Sequence, residues 1–400
     1  MNIFYRAYAR TFQFLLRYGG KLLRYDEPKR LNSPEEIVSF LKENGCSHIF
    51  LVSGRSTFAS SASHNVISSI LDKGIAIETY LMQSKEPSVE ECKRMGELYL
   101  KASCDSIISI GGGSRIDAAK SLALHLAYPD KDMTEFRGAL KVHRKLPAHI
   151  VIPTTAGSAS EDSISMVLTD EGKGDKFAIS SPYLLPSAYY FDATYLLEIP
   201  HNQGSESAMD AYTHNLEAYL GSALSKKDSR LAVKAISTLD TKIETFYCSS
   251  RSKEVALELF EASRIGGYCF SRGYVGYVHA LAHALGGKTH LSHGKLIAVL
   301  LPYVLIAYRK NAYKKLAYLC DTLHLLDKKA SKEEKAKTFI GHIFAVEAKL
   351  RIPPSIGVKL SEKDIDEVVD HAYREANPFY PVPRILNRVE LKNVVMEANR

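Results

Sequence analysis

Short apolar runs alternate with helical stretches through the first half of the chain. "HIFLVS" (48–53), "IAIETYL" (75–81), "DSIISI" (105–110) and "AHIVIPTT" (148–155) read as buried strands. Between them, Ser33-Pro34-Glu35-Glu36 reads as a capping box with proline at N1 and opens a helix to about Asn44. A second helix follows the first strand to about Lys73, and a third spans Val89 to Lys101. Strands alternating with helices predict a parallel sheet with right-handed crossovers. "SMVLTD" and "KFAIS", set around Gly172 and Gly174, predict a hairpin, and "AYYFD" (188–192) a last strand.

Past Pro200 the pattern changes. From Ser205 it is helical, and β-branched runs disappear. "LIAVLLPYVLIAY" from Leu296 is too short to span a bilayer and predicts a buried pair of helices meeting at Pro302. The predicted fold is an α/β N-terminal dinucleotide-binding domain (31–200) followed by an all-α domain (201–400), with a helical extension over 1–30. In that extension Phe4, Tyr8, Phe12 and Leu15 recur at helical spacing among arginines. Such a helix packs on the body or a second subunit, or lies on a membrane surface. Gly19-Gly20 interrupts the pattern and favours packing.

Composition narrows the partners. The net charge of +7 is concentrated at the start, where Arg6, Arg10, Arg17, Lys21 and Arg24 occur with no acid in the first 25 residues. The rest is nearly neutral, which argues against a nucleic-acid binder. Six scattered cysteines without a C-x-x-C pair read as reduced thiols, and no signal-peptide h-region is evident, so a cytoplasmic protein is expected.

Two loops suit a phosphate ligand. The third strand runs into "GGGSRIDAAK" (111–120), where glycines let the backbone approach a ligand and the following helix offers free N–H groups. This turn lacks the G-x-G-x-x-G spacing, so its place after a central strand carries the reading. "PTTAGSASE" (153–161) follows the next strand with Thr154, Thr155, Ser158 and Ser160, and could close over the same ligand.

Four of the fourteen histidines fall within residues 276–294. His279 and His283 are i, i+4 on a helix that Gly286-Gly287 ends; His293 begins the next helix, and His290 reads as a loop residue. Upstream, Asp210 and His214 are also i, i+4 and share a helix face. Taken singly, each is an ordinary core residue. Together, one carboxylate and up to three imidazoles from three helices make a donor set for Fe(II), Zn or another late divalent ion.

"GGGSRIDAAK", "PTTAGSASE", "MDAYTHNLEAY" and "GYVHALAHALGG…HG", in this order, resemble the iron-containing (group III) alcohol dehydrogenases over residues 30 to 385, and "REANPFYPVP" (374–383) resembles that family's Asn-Pro segment. The resemblance implies the dehydroquinate synthase-like fold, with the active site in the cleft between the two domains. It implies Asp210, His214, His279 and His293 as ligands of Fe2+ (Zn2+ as the alternative), and His283 as a non-ligand near the substrate, a candidate proton relay. It implies a pyrophosphate turn at Gly112, Gly113 and Ser114 with Asp117 following, and a second cofactor loop at Thr154, Thr155 and Ser158. Lys176 is implied near the cofactor, and Phe270 as an aromatic wall of the substrate pocket. The expected activity is hydride transfer between a small alcohol or aldehyde and NAD(P), in a homodimer. The alternatives are a lyase of the dehydroquinate synthase type and a non-catalytic redox sensor. The chain departs from the family at the second loop, Gly-Ser-Ala-Ser-Glu followed by Asp162, and in its basic N-terminal helix.

Cofactor choice turns on one place. The family commonly carries an acid just after the first strand, where it binds the ribose hydroxyls and repels a 2′-phosphate. Here Gly54, Arg55 and Ser56 stand instead. A guanidinium with no carboxylate predicts NADP over NAD.

Overall fold

The computed structural model describes residues 3–22, 26–84, 86–172, 175–289 and 291–400. In chain order the elements are α1 (Ile3–Leu22), β1 (Lys29–Leu31), α2 (Pro34–Glu43), β2 (His48–Gly54), α3 (Arg55–Phe58), α4 (Ser61–Leu71), β3 (Ala76–Met82), α5 (Val89–Lys101), β4 (Ser106–Gly111) and α6 (Gly113–Ala127). Then come β5 (Gly138–Ala139), β6 (His149–Pro153), β7 (Ser165–Asp170), β8 (Asp175–Ser180), β9 (Ala188–Tyr190) and α7 (Ala193–Glu198). Nine helices follow among the described residues: α8 (His201–Leu220), α9 (Lys226–Cys248), α10 (Lys253–Gly273), α11 (Tyr277–Thr289), α12 (His293–Tyr308), α13 (Lys310–Thr322), α14 (Lys332–Lys349), α15 (Glu362–Ala376) and α16 (Arg388–Ala398). The chain forms two compact units, one of residues 25–199 and one of 200–400 together with α1.

The α/β unit is built on a six-stranded sheet in the order β1-β9-β6-β4-β2-β3, parallel at each pairing. Alternate residues of one strand feed opposite faces. Ile49 and Leu51 of β2, with Ile108 and Ile110 of β4, pack under α2 and α4. Phe50, Val52 and Ile107 pack under α5 and α6 against Met95, Ala119 and Leu122. Both faces are covered, which is why these strands read as unbroken apolar runs. From β2 the chain crosses to β3 on one side, then returns to β4 on the other, so the strand order reverses between β2 and β4. The predicted hairpin forms as β7 and β8, joined by β5 in a separate three-stranded sheet. Of its two expected turn glycines, Gly174 lies outside the described residues.

Three local expectations are corrected. The stretch from Leu296 is one helix, α12, running through Pro302. Leu296 to Pro302 are all buried there, and that packing outweighs the roughly 3 kcal/mol a mid-helix proline costs. Gly286-Gly287 lie inside α11 rather than ending it, and Thr289 Oγ1 donates to Leu285 O in its last turn. Helix α1 continues through Gly19-Gly20 to Leu22.

α1 docks one face on the helical unit. Arg10 Nη1 and Nη2 donate to Val382 O (2.7 Å) and Pro383 O (3.0 Å), and buried Gln13 donates to Tyr380 O (2.8 Å). Tyr5 stacks on Tyr373 and Phe12 meets Phe379 edge-on. Its other face leaves Phe4, Tyr8, Phe14 and Leu15 exposed. Among the described residues no helix is long and apolar enough to cross a membrane, and all six cysteines are free thiols.

His149, the first residue of β6, is buried with Nε2 2.8 Å from Ser109 Oγ. Burial, reinforced by the Lys120 charge, drives its pKa down to about 3. An unfolded imidazole takes up its proton below about 6.5, so the folded state falls behind in protons across that window. The contribution to stability is therefore whole above pH 6.5 and is lost as pH falls toward 3. Between pH 6.5 and 5 this group is expected to cost about 2 kcal/mol. His149→Gln should flatten the fall of Tm with acidification; an equal slope in the variant would assign the acid sensitivity elsewhere.

Candidate functional site

Two constellations emerge, one in each unit. In the helical unit, α8 carries Asp210, His214 and Glu217 along one buried stripe. α11 supplies His279 and His283, and α12 opens with His293 after the Ser292 cap, whose hydroxyl accepts from Lys295 N–H. α12 can begin this close to α8 because residue 294 is glycine: a Cβ there would lie 2.8 Å from Glu206 O.

Asp210 Oδ1 is the focus of three imidazoles. It lies 3.6 Å from His214 Nδ1, 3.5 Å from His279 Nε2 and 3.7 Å from His293 Nε2. The donor atoms of Asp210, His279 and His293 all fall within 4.8 Å of one another. These separations are long for hydrogen bonds, and buried Asp210 Oδ1 and His279 Nε2 have no hydrogen-bond partner. The three distances from Asp210 are close to the roughly 3.4 Å edges of a tetrahedron whose donors stand about 2.1 Å from a shared ion, while His214 is not part of the mutual 4.8 Å set. The residues fit a late divalent ion. Burial alone would raise Asp210, yet the facing imidazoles of His214, His279 and His293 hold it well below the carboxylate range. His293, 41% exposed, is the member that opens the cluster toward solvent.

Glu217 orients His279. Its carboxylate accepts from His279 Nδ1 (2.7 Å), Gly276 N–H and Val278 N–H (both 2.8 Å), so His279 Nε2 is the nitrogen that faces Asp210 and bears the lone pair once the ring is neutral. Burial works against protonation of His279, but Asp210 and Glu217 outweigh it and raise its pKa to about 9. His283 stacks on His293 at 5.3 Å between ring centroids, and its Nδ1 pairs with Glu375 Oε1 at 2.8 Å. Tyr380 donates its hydroxyl to the same oxygen. Burial would raise Glu375, but His283 and Tyr380 hold it below its ordinary value. Phe270 of α10 stacks on His214 at 4.6 Å. His290 lies outside the described residues.

In the α/β unit the two polar loops meet. Gly111 ends β4, Gly112 caps α6, and a Cβ on Gly113 would lie 2.7 Å from Ser158 Cβ. A Cβ on Gly112 would lie 3.3 Å from Thr155 Oγ1, and Thr154 N–H donates to Gly111 O. Gly112, Gly113, Thr154, Thr155 and Ser158 are thus one surface at the carboxyl ends of β4 and β6, with Ser114 in the first turn of α6. Asp117, further along α6, accepts at Oδ2 from Val167 N–H, beside buried Lys120, which donates to Ser163 O and Ser165 O. Desolvation pulls Lys120 down to about 8 despite the surrounding carboxylates of Asp117, Glu161 and Asp162. Lys176 of β8 is ion-paired with Glu86 at 2.5 Å. Arg55 and Ser56 are exposed at the start of α3, whereas Gly54 is buried.

Residues 31–193 match the family model of the iron-containing alcohol dehydrogenases, and residues 205–398 match that of the C-terminal region of the same family. The chain belongs to the iron-containing alcohol dehydrogenase family. Alcohol dehydrogenase 4 of Schizosaccharomyces pombe is 32% identical to it over 314 residues, 78% of this chain and 74% of that one. An NADPH-dependent butanol dehydrogenase of Clostridium saccharobutylicum is 27% identical over 336 residues, covering 82% and 85%. A solved 1,3-propanediol oxidoreductase superposes with a TM-score of 0.88 at 25% identity, covering 94% of this chain and all of that one. A parallel α/β domain followed by an all-helical region is therefore the dehydroquinate synthase-like arrangement of iron-containing alcohol dehydrogenases.

Three residues of this family member escaped the sequence reading. Glu217 was visible in principle, at i+7 from Asp210 and i+3 from His214 in "MDAYTHNLEAY". Glu375 and Tyr380 carried no such signal, because their link to His283 spans 92 and 97 positions of chain.

Proposed function

We propose that this protein is a metal-dependent alcohol dehydrogenase or aldehyde reductase that uses NAD(P), with NADP(H) preferred and Fe2+ as the working ion. The observation that carries the reading is the convergence of Asp210, His214, His279 and His293, with two buried donor atoms lacking any other partner. Asp210 and the three histidines would hold the ion, which when bound supplies a Lewis acid for the alcohol or carbonyl oxygen. Gly112, Gly113, Ser114, Thr154, Thr155 and Ser158 would hold the pyrophosphate, the nicotinamide exchanging hydride with the carbinol carbon. A relative named for NADPH-dependent butanol oxidation supports small alcohols as the substrate class.

The protein's own groups handle the proton. Alcohol oxidation releases one proton for each hydride transferred. His283, paired at Nδ1 with Glu375, has Nε2 to take that proton and passes it toward solvent. Phe270 gives the site an apolar wall beside His214. An anaerobic screen of the Fe2+-loaded protein across aldehydes, diols and acidic alcohols tests the reading; no turnover with any of them would remove it.

His283→Ala is expected to retain metal while lowering kcat about 100-fold, the ordinary scale of general acid–base catalysis. The pH–rate profile should lose a limb. An unchanged profile would reduce His283 to packing.

A further inference from the structure

We propose that Arg115, and not Arg55, is the residue that grips the 2′-phosphate of NADP(H), and that the missing side chain at Gly54 makes the space for it. The inference rests on the dinucleotide-binding role proposed for the two polar loops and makes it specific. In open parallel sheets, ligands bind beyond the carboxyl ends of the strands where the strand order reverses. Here that place lies between β2, which ends at Gly54, and β4, which ends at Gly111.

Arg115 bridges these two strand ends. Its stem lies on Gly111, where an added Cβ would be 2.6 Å from Arg115 Cβ and 2.8 Å from Cγ. Its guanidinium reaches Gly54, where an added Cβ would be 3.4 Å from Nε and 3.5 Å from Nη2. A larger residue at 111 would push the stem aside, so the glycine that turns the phosphate loop also seats the arginine. Arg115 starts in the first turn of the helix beneath the pyrophosphate turn, and its charge arrives at the end of β2. The carboxylate acting on that charge is Glu91 of α5, which is itself held by Tyr80 and Ser84. Arg55, by contrast, is exposed on α3.

The chemistry follows from the pair. A ribose 2′-phosphate is a dianion whose oxygens match the guanidinium fork with paired, charge-assisted hydrogen bonds. A ribose 2′-hydroxyl at the same place meets a cation, and Gly54, Arg55 and Ser56 offer no carboxylate to accept its proton. Gly54→Asp reverses both terms, since the new carboxylate would stand against the Arg115 guanidinium.

Fluorescence titration of the full-length protein with NADPH and NADH tests this without turnover. Arg115→Ala is expected to weaken NADPH about 30-fold and NADH by less than threefold, with Arg115→Lys between it and wild type. Gly54→Asp should give a similar loss for NADPH and a gain for NADH, so the test survives if Arg115→Ala folds poorly by circular dichroism. 2′-AMP competing better than 5′-AMP against NADPH in wild type, but not in Arg115→Ala, would support the same assignment. A loss confined to Arg55→Ala, or equal weakening of both nucleotides by Arg115→Ala, would overturn it. Equal wild-type affinity for NADPH and NADH would overturn it and leave the dinucleotide reading standing. Binding of neither would overturn both.

Discussion

Asp210→Ala is expected to strip the histidine cluster of its metal and to reduce turnover about a thousandfold. Oδ1 of this residue lies within 3.7 Å of a ring nitrogen of each of the three imidazoles, so its loss removes the donor they share. A Lewis acid contributes several kcal/mol of charge stabilisation at the reacting oxygen, and each 1.36 kcal/mol is tenfold in rate, hence the size of the effect. Dinucleotide affinity should be unchanged, because the phosphate surface belongs to the other compact unit. Metal content by mass spectrometry and an NADPH titration separate the two terms. His293→Ala should lose metal less completely, since His293 is the exposed member of the cluster. Full metal and full turnover in Asp210→Ala would take the residue out of the site.

Glu217→Ala is expected to be the most destabilising single change at the cluster. Its carboxylate, almost wholly buried, is the acceptor for three donors, and alanine leaves the Gly276 and Val278 amides and the His279 ring without it. Removing one partner from a buried charged pair typically costs about 3 to 5 kcal/mol. His279 would also lose the bond that fixes its tautomer, worth about 10- to 100-fold in metal affinity where such outer partners have been removed. Glu217→Gln keeps an accepting oxygen and is expected to recover most of the stability but only part of the metal affinity. Thermal melts of the metal-free protein and competition with a chelator measure the two losses. If Glu217→Ala melts like wild type, the three hydrogen bonds are not what holds the start of α11 against α8.

The sequence carried the parts of this architecture that are local. The apolar runs over 48–53 and 105–110 announce strands because both faces of the sheet are covered, and the i, i+4 pairs Asp210–His214 and His279–His283 announce the polar cluster because α-helical geometry puts each pair on one face. What it did not carry is non-local or needs a count of burial against propensity. Gly19-Gly20 and Gly286-Gly287 read as helix ends, yet helix continues through both. Pro302 read as a break, yet buried neighbours carry α12 past it. Arg55 was the visible arginine beside Gly54; Arg115, 61 positions further on, is brought there by the pairing of β2 with β4, which no spacing in the chain announces.

The clasp between α1 and residues 380–383 also sets a timetable. Arg10 and its acceptor carbonyls are 372 and 373 positions apart, and Gln13 and its acceptor 367. At ribosomal speeds of about 5–20 residues per second, α1 leaves the ribosome roughly 20 to 70 s before its docking surface has been made. Through that interval a helix with phenylalanine and tyrosine on both faces has no place to fold onto. Helix α1, made long before residues 380–383, is thus among the last elements to reach its native contacts. It is in the nascent chain, more than in the finished enzyme, that this helix is open to capture by a chaperone or by another apolar surface.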